Sequence, residues 1–366
     1  MLATLPAHAK RSESRRAPAP IRVLIVDDSV VARAVLSRLL SEHDDIEIVG
    51  QAGSAASAHC VLEEKRVDII LLDLEMPGVS GLAALPELIR HGNGARVLIV
   101  SSACADGAAS SIAALRLGAA DTLLKPGGAA YTSRFAEELL DRLRRIARPG
   151  AVETQPRGAQ GQGMVQKPSA RRLECLAIGS STGGVHALAR FFGALPKSFT
   201  TPILITQHLP APFMPYFAGQ LVEMTGRPTR IGAPGLQPQP GELLLAPGDA
   251  HMTLVQTGPV IHVRLERKPM VSGCMPSVDP MLASIGKVYG PAAVGVILSG
   301  MGRDGLQGAG ELVAAGGSLL AQDEASSVVW GMPGAVANAR LAHAVLPPDE
   351  LARRIAAWSE GDAAWK

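Results

Sequence analysis

Residues 176–184 read Leu-Ala-Ile-Gly-Ser-Ser-Thr-Gly-Gly. A short apolar run ends in a glycine, and Ser181 sits at the centre of a Gly-x-Ser-x-Gly pattern formed with Gly179 and Gly183. Val185, Leu188, Phe191 and Phe192 follow at helical spacing, which predicts an amphipathic helix. Strand, tight turn and helix in that order make one βα unit. It is also the setting in which a strained turn lifts a serine hydroxyl above a parallel sheet. The glycines permit the turn, and the first turn of the helix offers free N–H groups to a developing oxyanion. The same local pattern also suits a loop that only reverses the chain or holds a phosphate.

The flanking chain repeats this alternation. Downstream, apolar runs at 203–206, 242–246, 260–265 and 294–299 read as strands beside 175–178. Helical patterns cover 185–195, 213–225, 278–289 and 306–315. A doubly wound α/β domain over 171–360 follows from that order. Upstream, residues 148–170 are rich in Pro, Gly, Gln and Ala without periodicity, which predicts a linker. Before it, strand patterns at 21–26, 46–49, 69–72, 97–100 and 122–124 alternate with helical stretches such as 30–40 and 133–147. Five such units predict a second doubly wound parallel sheet over 21–147. Residues 1–20, rich in Arg, Ser, Ala and Pro, read as a disordered extension.

Composition agrees with this division. Hydrophobic residues make up 47% of the 366 residues and aromatic ones only 3%, so aliphatic strands and alanine-rich helices must do the packing. The formal net charge of +2 gives no global argument for nucleic acid or an acidic membrane, and no basic helix-turn-helix pattern appears. Cys60, Cys104, Cys175 and Cys274 are scattered without a zinc-like spacing, which fits a reduced cytoplasmic setting. No apolar run approaches the length of a membrane span.

In the first half, Asp27 and Asp28 follow the first strand and Asp73 follows the third. Strand ends in such a sheet share one crevice. Three carboxylates there repel one another unless a cation sits among them, and oxygen-only ligands suit Mg²⁺. Lys125 and Ser101 end the fifth and fourth strands. A carboxylate beside Mg²⁺, a lysine and a hydroxyl can accept a phosphoryl group. Val-Asp-Asp-Ser at 26–29, Leu-Asp-Leu-Glu-Met-Pro at 72–77, Ser101 and Lys-Pro at 125–126 closely resemble the response-regulator receiver domain. The resemblance implies that Asp73 is the phosphoacceptor, that Asp27, Asp28, Asp73 and the Glu75 carbonyl hold Mg²⁺, and that Ser101 and Lys125 read the phosphoryl group. It implies a sensor histidine kinase as phosphodonor. Thr122 departs from the pattern, because receivers usually carry an aromatic switch residue there.

In the second half a nucleophilic serine needs a base and an orienting acid. His208 directly follows the 203–206 strand, and His251 in Pro-Gly-Asp-Ala-His-Met is its rival. Asp304 follows the 294–299 strand through Gly-Met-Gly-Arg-Asp-Gly, with Asp249 and Asp279 as alternatives. A nucleotide-binding loop at 179–184 lacks the Gly-x-Gly-x-x-Gly spacing. A receiver-gated binding module without catalysis is the alternative that loss of Ser181, His208 or Asp304 would favour.

Six segments carry a specific resemblance: 177–184, 205–208, 246–252, Pro-Ser-Val-Asp at 276–279, 295–305 and 322–333. They look like the catalytic domain of the chemotaxis receptor methylesterases. That resemblance implies Ser181 as nucleophile, His208 as general base and Asp304 as orienting acid. The Thr182 side chain and the Met301 N–H would form the oxyanion hole. It implies hydrolysis of γ-methyl glutamate esters on methyl-accepting chemoreceptors, deamidation of receptor glutamines, and no cofactor for the esterase step. Partners would be receptor and kinase, with neither nucleic acid nor membrane insertion. Two positions depart from the family. Cys274-Met275 stands where a His-Arg pair is common, and Ser180 replaces an alanine before the nucleophile.

Overall fold

The computed structural model describes residues 19–101, 105–125, 133–147 and 171–359. The predicted linker and nearly all of the predicted N-terminal extension lie outside them, as do Cys104 and Pro126.

The first unit runs β1 (Ile21–Val26), α1 (Val30–Ser41), β2 (Ile46–Ala52), α2 (Ala55–Glu64), β3 (Ile69–Leu72), α3 (Gly81–His91), β4 (Arg96–Ser101), α4 (Ala105–Arg116), β5 (Asp121–Leu124) and α5 (Ser133–Ala147). Its five strands are parallel in the order β2-β1-β3-β4-β5. The strand Ile-Ile-Leu-Leu at β3 is buried throughout, as expected when helices cover both faces of a parallel sheet. Side chains on alternate strand positions divide between the two faces. Leu24, Ile70 and Ile99 pack with α2, α3 and α4 residues, whereas Ile25, Leu71 and Leu98 pack with α1 and α5 residues such as Leu36 and Leu139. Each fully buried leucine or isoleucine contributes roughly 1.5–3 kcal/mol of transfer free energy.

The second unit runs β6 (Cys175–Ser180), α6 (Gly184–Ala194), β7 (Ile203–Gln207), α7 (Met214–Thr225), β8 (Thr229–Ile231), β9 (Leu243–Leu245), β10 (His251–Thr257), β11 (Val260–Glu266), α8 (Val278–Tyr289), β12 (Ala293–Ile297), α9 (Leu306–Ala314), β13 (Ser318–Gln322), α10 (Met332–Asn338), β14 (Ala344–Leu346) and α11 (Pro348–Ser359). Seven strands form a parallel sheet in the order β14-β13-β12-β6-β7-β9-β8. The doubly wound class expected for both halves is therefore present, with corrections. The 260–265 strand is not part of that sheet. It pairs antiparallel with β10 as a separate hairpin; of Val260 to Glu266 only Val263 is buried, too little for a strand covered on both faces of a parallel sheet. The strands β8, β10, β13 and β14 go unpredicted. Two of them are three-residue edge strands, too short to show a pattern, and β13 follows a glycine pair in a mixed Ser-Leu-Leu-Ala-Gln run.

The order of strands sets the crevices. After β6 the chain moves to β7 on one side and later returns to β12 on the other. In the first unit β1 is likewise flanked by β2 and β3. At such reversals the loops leaving adjacent strands diverge and open a groove at their carboxyl ends.

The two units touch. Helix α4 packs against α6, α7 and the short helical turn Ala211–Phe213. One apolar cluster includes Ala108, Ile112 and Leu115 of α4 together with Leu209, Phe213 and Met214 of the second unit.

Candidate active site

The turn after β6 is set by backbone conformation and by crowding. Gly183 caps α6 with φ +75°, a region that costs an L side chain strain, and a Cβ there would collide with Val328. The Ser181 N–H donates to the Ser299 carbonyl at 3.0 Å. Gln207 Nε2 donates to the Ser181 carbonyl at 2.9 Å. The serine is thus held between the strand on each side of β6. Ser180 is buried and donates its hydroxyl to Gln207 Oε1 at 2.6 Å, which leaves Ser181 as the partly exposed hydroxyl of the pair.

Sheet register brings His208 alongside. Ser180 and Gln207 are Cα partners in β6 and β7, so Ser181 and His208 are the next residues out at neighbouring strand ends. The His208 N–H donates to the Ser180 carbonyl at 3.0 Å. On the other side Gly179 pairs with Ile297 of β12, and the glycine-rich turn after β12 delivers Asp304. His208 Nε2 bonds Asp304 Oδ2 at 2.8 Å. Among the described residues no hydrogen bond links Ser181 Oγ to His208; such contacts often tighten only with substrate bound.

Asp304 is nearly inaccessible, and its charge is balanced by donors. Ser277 Oγ donates to Oδ1 at 2.6 Å and the Val278 N–H to Oδ2 at 2.7 Å, both at the start of α8. Burial alone would raise its pKa. The hydrogen bond and charge of His208, with Ser277 and Val278, outweigh burial and hold the carboxyl at about 2. Burial alone would lower the pKa of His208. The hydrogen bond that Asp304 accepts from the ring, then the hydrogen bond and charge of Cys274, raise it to about 10. The other candidates have different tasks. His251 accepts the Ser277 N–H on Nδ1 and donates Nε2–H to the Lys268 carbonyl. Asp249 is exposed and pairs with Arg267. Asp279 takes the Gly308 N–H at 2.8 Å.

Of the two expected oxyanion residues, Thr182 directly follows Ser181 and is already engaged, and Met301 directly follows Gly300, which lies against Ser181. Thr182 Oγ1 donates to Asp121 Oδ2 of β5 at 2.6 Å, and the Gly183 N–H donates to the Ala120 carbonyl at 2.8 Å. Arg142 of α5 braces Asp121 at 2.9 Å. Met301 follows Gly300, which is tied by hydrogen bonds to Val329, Gly331 and Met332. The 322–333 segment therefore positions that turn, and Ser299 Oγ links Thr182 to Val329.

In the first unit, Lys125 Nζ lies 3.0 Å from both Asp27 Oδ2 and Asp73 Oδ2. The oxygens of Asp27, Asp28 and Asp73 fall within 4.8 Å of one another. Burial first, then the nearby Asp27, raises the Asp73 pKa against the opposing pull of Lys125. Three carboxylates against one ammonium leave a negative, oxygen-lined cluster that fits a hard dication. The Glu75 N–H donates to Asp73 Oδ1 at 3.3 Å. Ser101 is fully buried and its Oγ lies 2.7 Å from Ser111 Oγ of α4. Ser111 in turn donates to the Gly107 carbonyl, so Ser101 is the donor between the two. Thr122 is buried, and its carbonyl accepts from Arg142.

The residues that sequence reasoning passed over are Asp121, Gln207, Ser277 and Ser299. Gln207, Ser277 and Ser299 lie inside segments that carry the resemblance, 205–208, 276–279 and 295–305, and only Asp121 had no such signal.

Comparison with known proteins assigns the two units. A family model described as CheB methylesterase matches residues 176–355, and one described as response regulator receiver domain matches 23–132. A protein-glutamate methylesterase/protein-glutamine glutaminase of Caulobacter vibrioides is 42% identical, over 92% of this chain and 98% of that protein. The chain belongs to the CheB methylesterase family. A second CheB-type relative, from Paramagnetospirillum magneticum, is 38% identical over 91% of this chain and 94% of its own length, and carries the same methylesterase/glutaminase name. The Thermotoga maritima CheB methylesterase catalytic domain is a similar solved structure, with 32% identity and a TM-score of 0.49, covering 51% of this chain and 98% of that one.

Proposed function

We propose that this chain is a receiver-controlled protein-glutamate methylesterase and protein-glutamine glutaminase acting on methyl-accepting chemoreceptors, with Ser181, His208 and Asp304 as its catalytic residues. The observation that carries the assignment is the serine turn after β6 set beside the His208–Asp304 pair at the two adjoining strand ends. Ser181 Oγ attacks the γ-carbonyl of the receptor glutamyl ester as His208 takes its proton. Asp304 holds the ring through Nε2 and stabilises the imidazolium. The Thr182 hydroxyl and the Met301 N–H receive the negative charge on the tetrahedral oxygen. His208 returns the proton to the departing methanol, and water then cleaves the acyl-serine by the same route. With ammonia as leaving group the sequence deamidates a glutamine.

In the receiver, Asp73 is the phosphoacceptor and a sensor histidine kinase the phosphodonor. Asp27, Asp28, Asp73 and the Glu75 carbonyl would hold Mg²⁺, which when bound neutralises charge on the transferred oxygens. Lys125 and Ser101 would engage the phosphoryl group. The contacts of Ala120 and Asp121 with Gly183 and Thr182 support a resting state in which the receiver holds the elbow closed. Methanol release from methylated receptor, with and without a phosphodonor, tests the whole reading. Ser181→Ala should reduce release to the residual ~10³–10⁴-fold over water left by the remaining machinery, and near-normal turnover in that variant would place the nucleophile elsewhere.

A further inference from the structure

We propose that Cys274, His208 and Asp304 form a site for a thiophilic divalent cation of the zinc class, and that filling it switches the esterase off. The inhibitory half of this rests on the reading of His208 and Asp304 as base and orienting acid. The metal half does not.

The donor atoms of these three residues all lie within 4.8 Å of one another. Thiolate, imidazole and carboxylate are the three ligand types zinc takes, and three protein ligands leave a fourth position for water. The cluster over the receiver sheet offers oxygen only, from Asp27, Asp28 and Asp73. The two clusters of one chain therefore differ in hardness, so Mg²⁺ and a softer cation would sort between them.

The surroundings suit a bound ion. Asp304 is fixed by Ser277 Oγ and the Val278 N–H, the kind of outer support that orients a ligand. Cys274 hydrogen-bonds His208, and its other contact is long, 3.7 Å from Sγ to the Ser272 carbonyl, so the sulfur already faces the other two ligands. It lies on a surface segment between Val271, 97% exposed, and Met275, 42% exposed, which gives an ion a way in. Cys60, exposed on α2, and buried Cys175 belong to no such group among the described residues.

Binding requires no redox change. The cation takes lone pairs from the sulfur, a ring nitrogen and a carboxylate oxygen. The thiol proton and the proton held between His208 and Asp304 leave to solvent. An imidazole bonded to the metal can no longer take the Ser181 proton.

The test uses the full chain, kept reduced with a phosphine and supplied with Mg²⁺ for the receiver cluster. Co²⁺ is the optical probe and Zn²⁺ the inhibitor of methanol release, with each variant compared to its own metal-free rate. Wild type and Cys60→Ser should show a thiolate-to-cobalt charge-transfer band that Cys274→Ser lacks. The Zn²⁺ concentration for half-inhibition should rise at least about tenfold in Cys274→Ser, the lower bound for losing even an outer partner of a metal site. A chelator should restore activity. His208→Gln, which leaves the cysteine segment untouched, should weaken Co²⁺ binding by a similar factor. A band that survives Cys274→Ser, an unchanged half-inhibition concentration, or a loss reversed by reductant but not by chelator would overturn the proposal. Normal methanol release with neither band nor inhibition removes the metal site alone. A cobalt band in a protein that releases no methanol without metal removes the esterase reading and leaves the site standing.

Discussion

Replacing Asp121 by alanine is expected to raise the activity of the unphosphorylated enzyme about tenfold or more. Asp121 Oδ2 accepts the Thr182 hydroxyl at 2.6 Å while Arg142 braces it at 2.9 Å. That one contact joins the receiver to the proposed oxyanion donor. A hydrogen bond to a charged group is worth about 1.5–3 kcal/mol net. The alanine variant loses it only in the closed state, because in an open state Thr182 and Asp121 both face water. Each 1.4 kcal/mol is a factor of ten in an equilibrium constant, so the open population should rise by roughly 10- to 100-fold. The gain is capped once the open form predominates, which makes the phosphorylated rate the ceiling. The remaining contacts, the Gly183 N–H to the Ala120 carbonyl and the apolar seam of α4, keep the closure from vanishing. Asp121→Asn, which retains an acceptor but loses the charge, should fall between the two. The assay is initial methanol release from methylated receptor without phosphodonor, then with saturating phosphodonor. Unchanged basal and activated rates in Asp121→Ala would show that the Thr182 contact does not hold the enzyme back, and that the receiver works by targeting or by positive activation.

Asp304→Asn should lower kcat by about 10⁴-fold with little change in KM, because an amide favours the wrong His208 tautomer and cannot stabilise the imidazolium; a larger loss in Asp279→Asn would move the role of acid to that residue. The activity should depend on pH through His208, whose raised pKa of about 10 keeps the ring protonated at neutral pH, so kcat/KM should climb as pH rises. Cys274→Ser removes one of the raising influences and should shift that limb to lower pH, and an identical profile would show that the thiol does not reach the ring. The same pair makes stability depend on pH at both ends. The Asp304 share is present above the ordinary carboxylate pKa and lost as pH falls toward about 2. The His208 share is present below about 6.5 and lost as pH rises through about 10, which urea midpoints across pH would show. Asp73→Asn should hold the full chain at its basal rate with a phosphodonor present. Ser111→Ala should weaken activation without altering the isolated basal rate, since Ser111 connects Ser101 to α4 and α4 packs on the second unit; full activation in that variant would exclude the link.

Much of this was readable in the chain because the relevant physics is local. Alternation of apolar runs with 3.6-residue periodicity named two parallel sheets. Glycines around Ser181 marked a turn, and acids directly after strands marked a crevice, since strand ends on one side of a parallel sheet necessarily share it. Position relative to a strand also favoured His208 and Asp304, but it left His251, Asp249 and Asp279 open. The candidates separate only in three dimensions, where His208 and Asp304 bond each other while His251 bonds Ser277 and Lys268, Asp249 bonds Arg267 and Asp279 takes the Gly308 N–H. Ser180 is likewise separated from Ser181 only by the register that buries it against Gln207. The short edge strands could not be seen, because three residues hold too little pattern and their pairing comes from neighbours distant in sequence. Asp121 and Cys274 show the limit most plainly. Neither carries a local signature, for one acts 61 residues away on Thr182 and the other meets His208 and Asp304 only because three separate loops end in the same crevice.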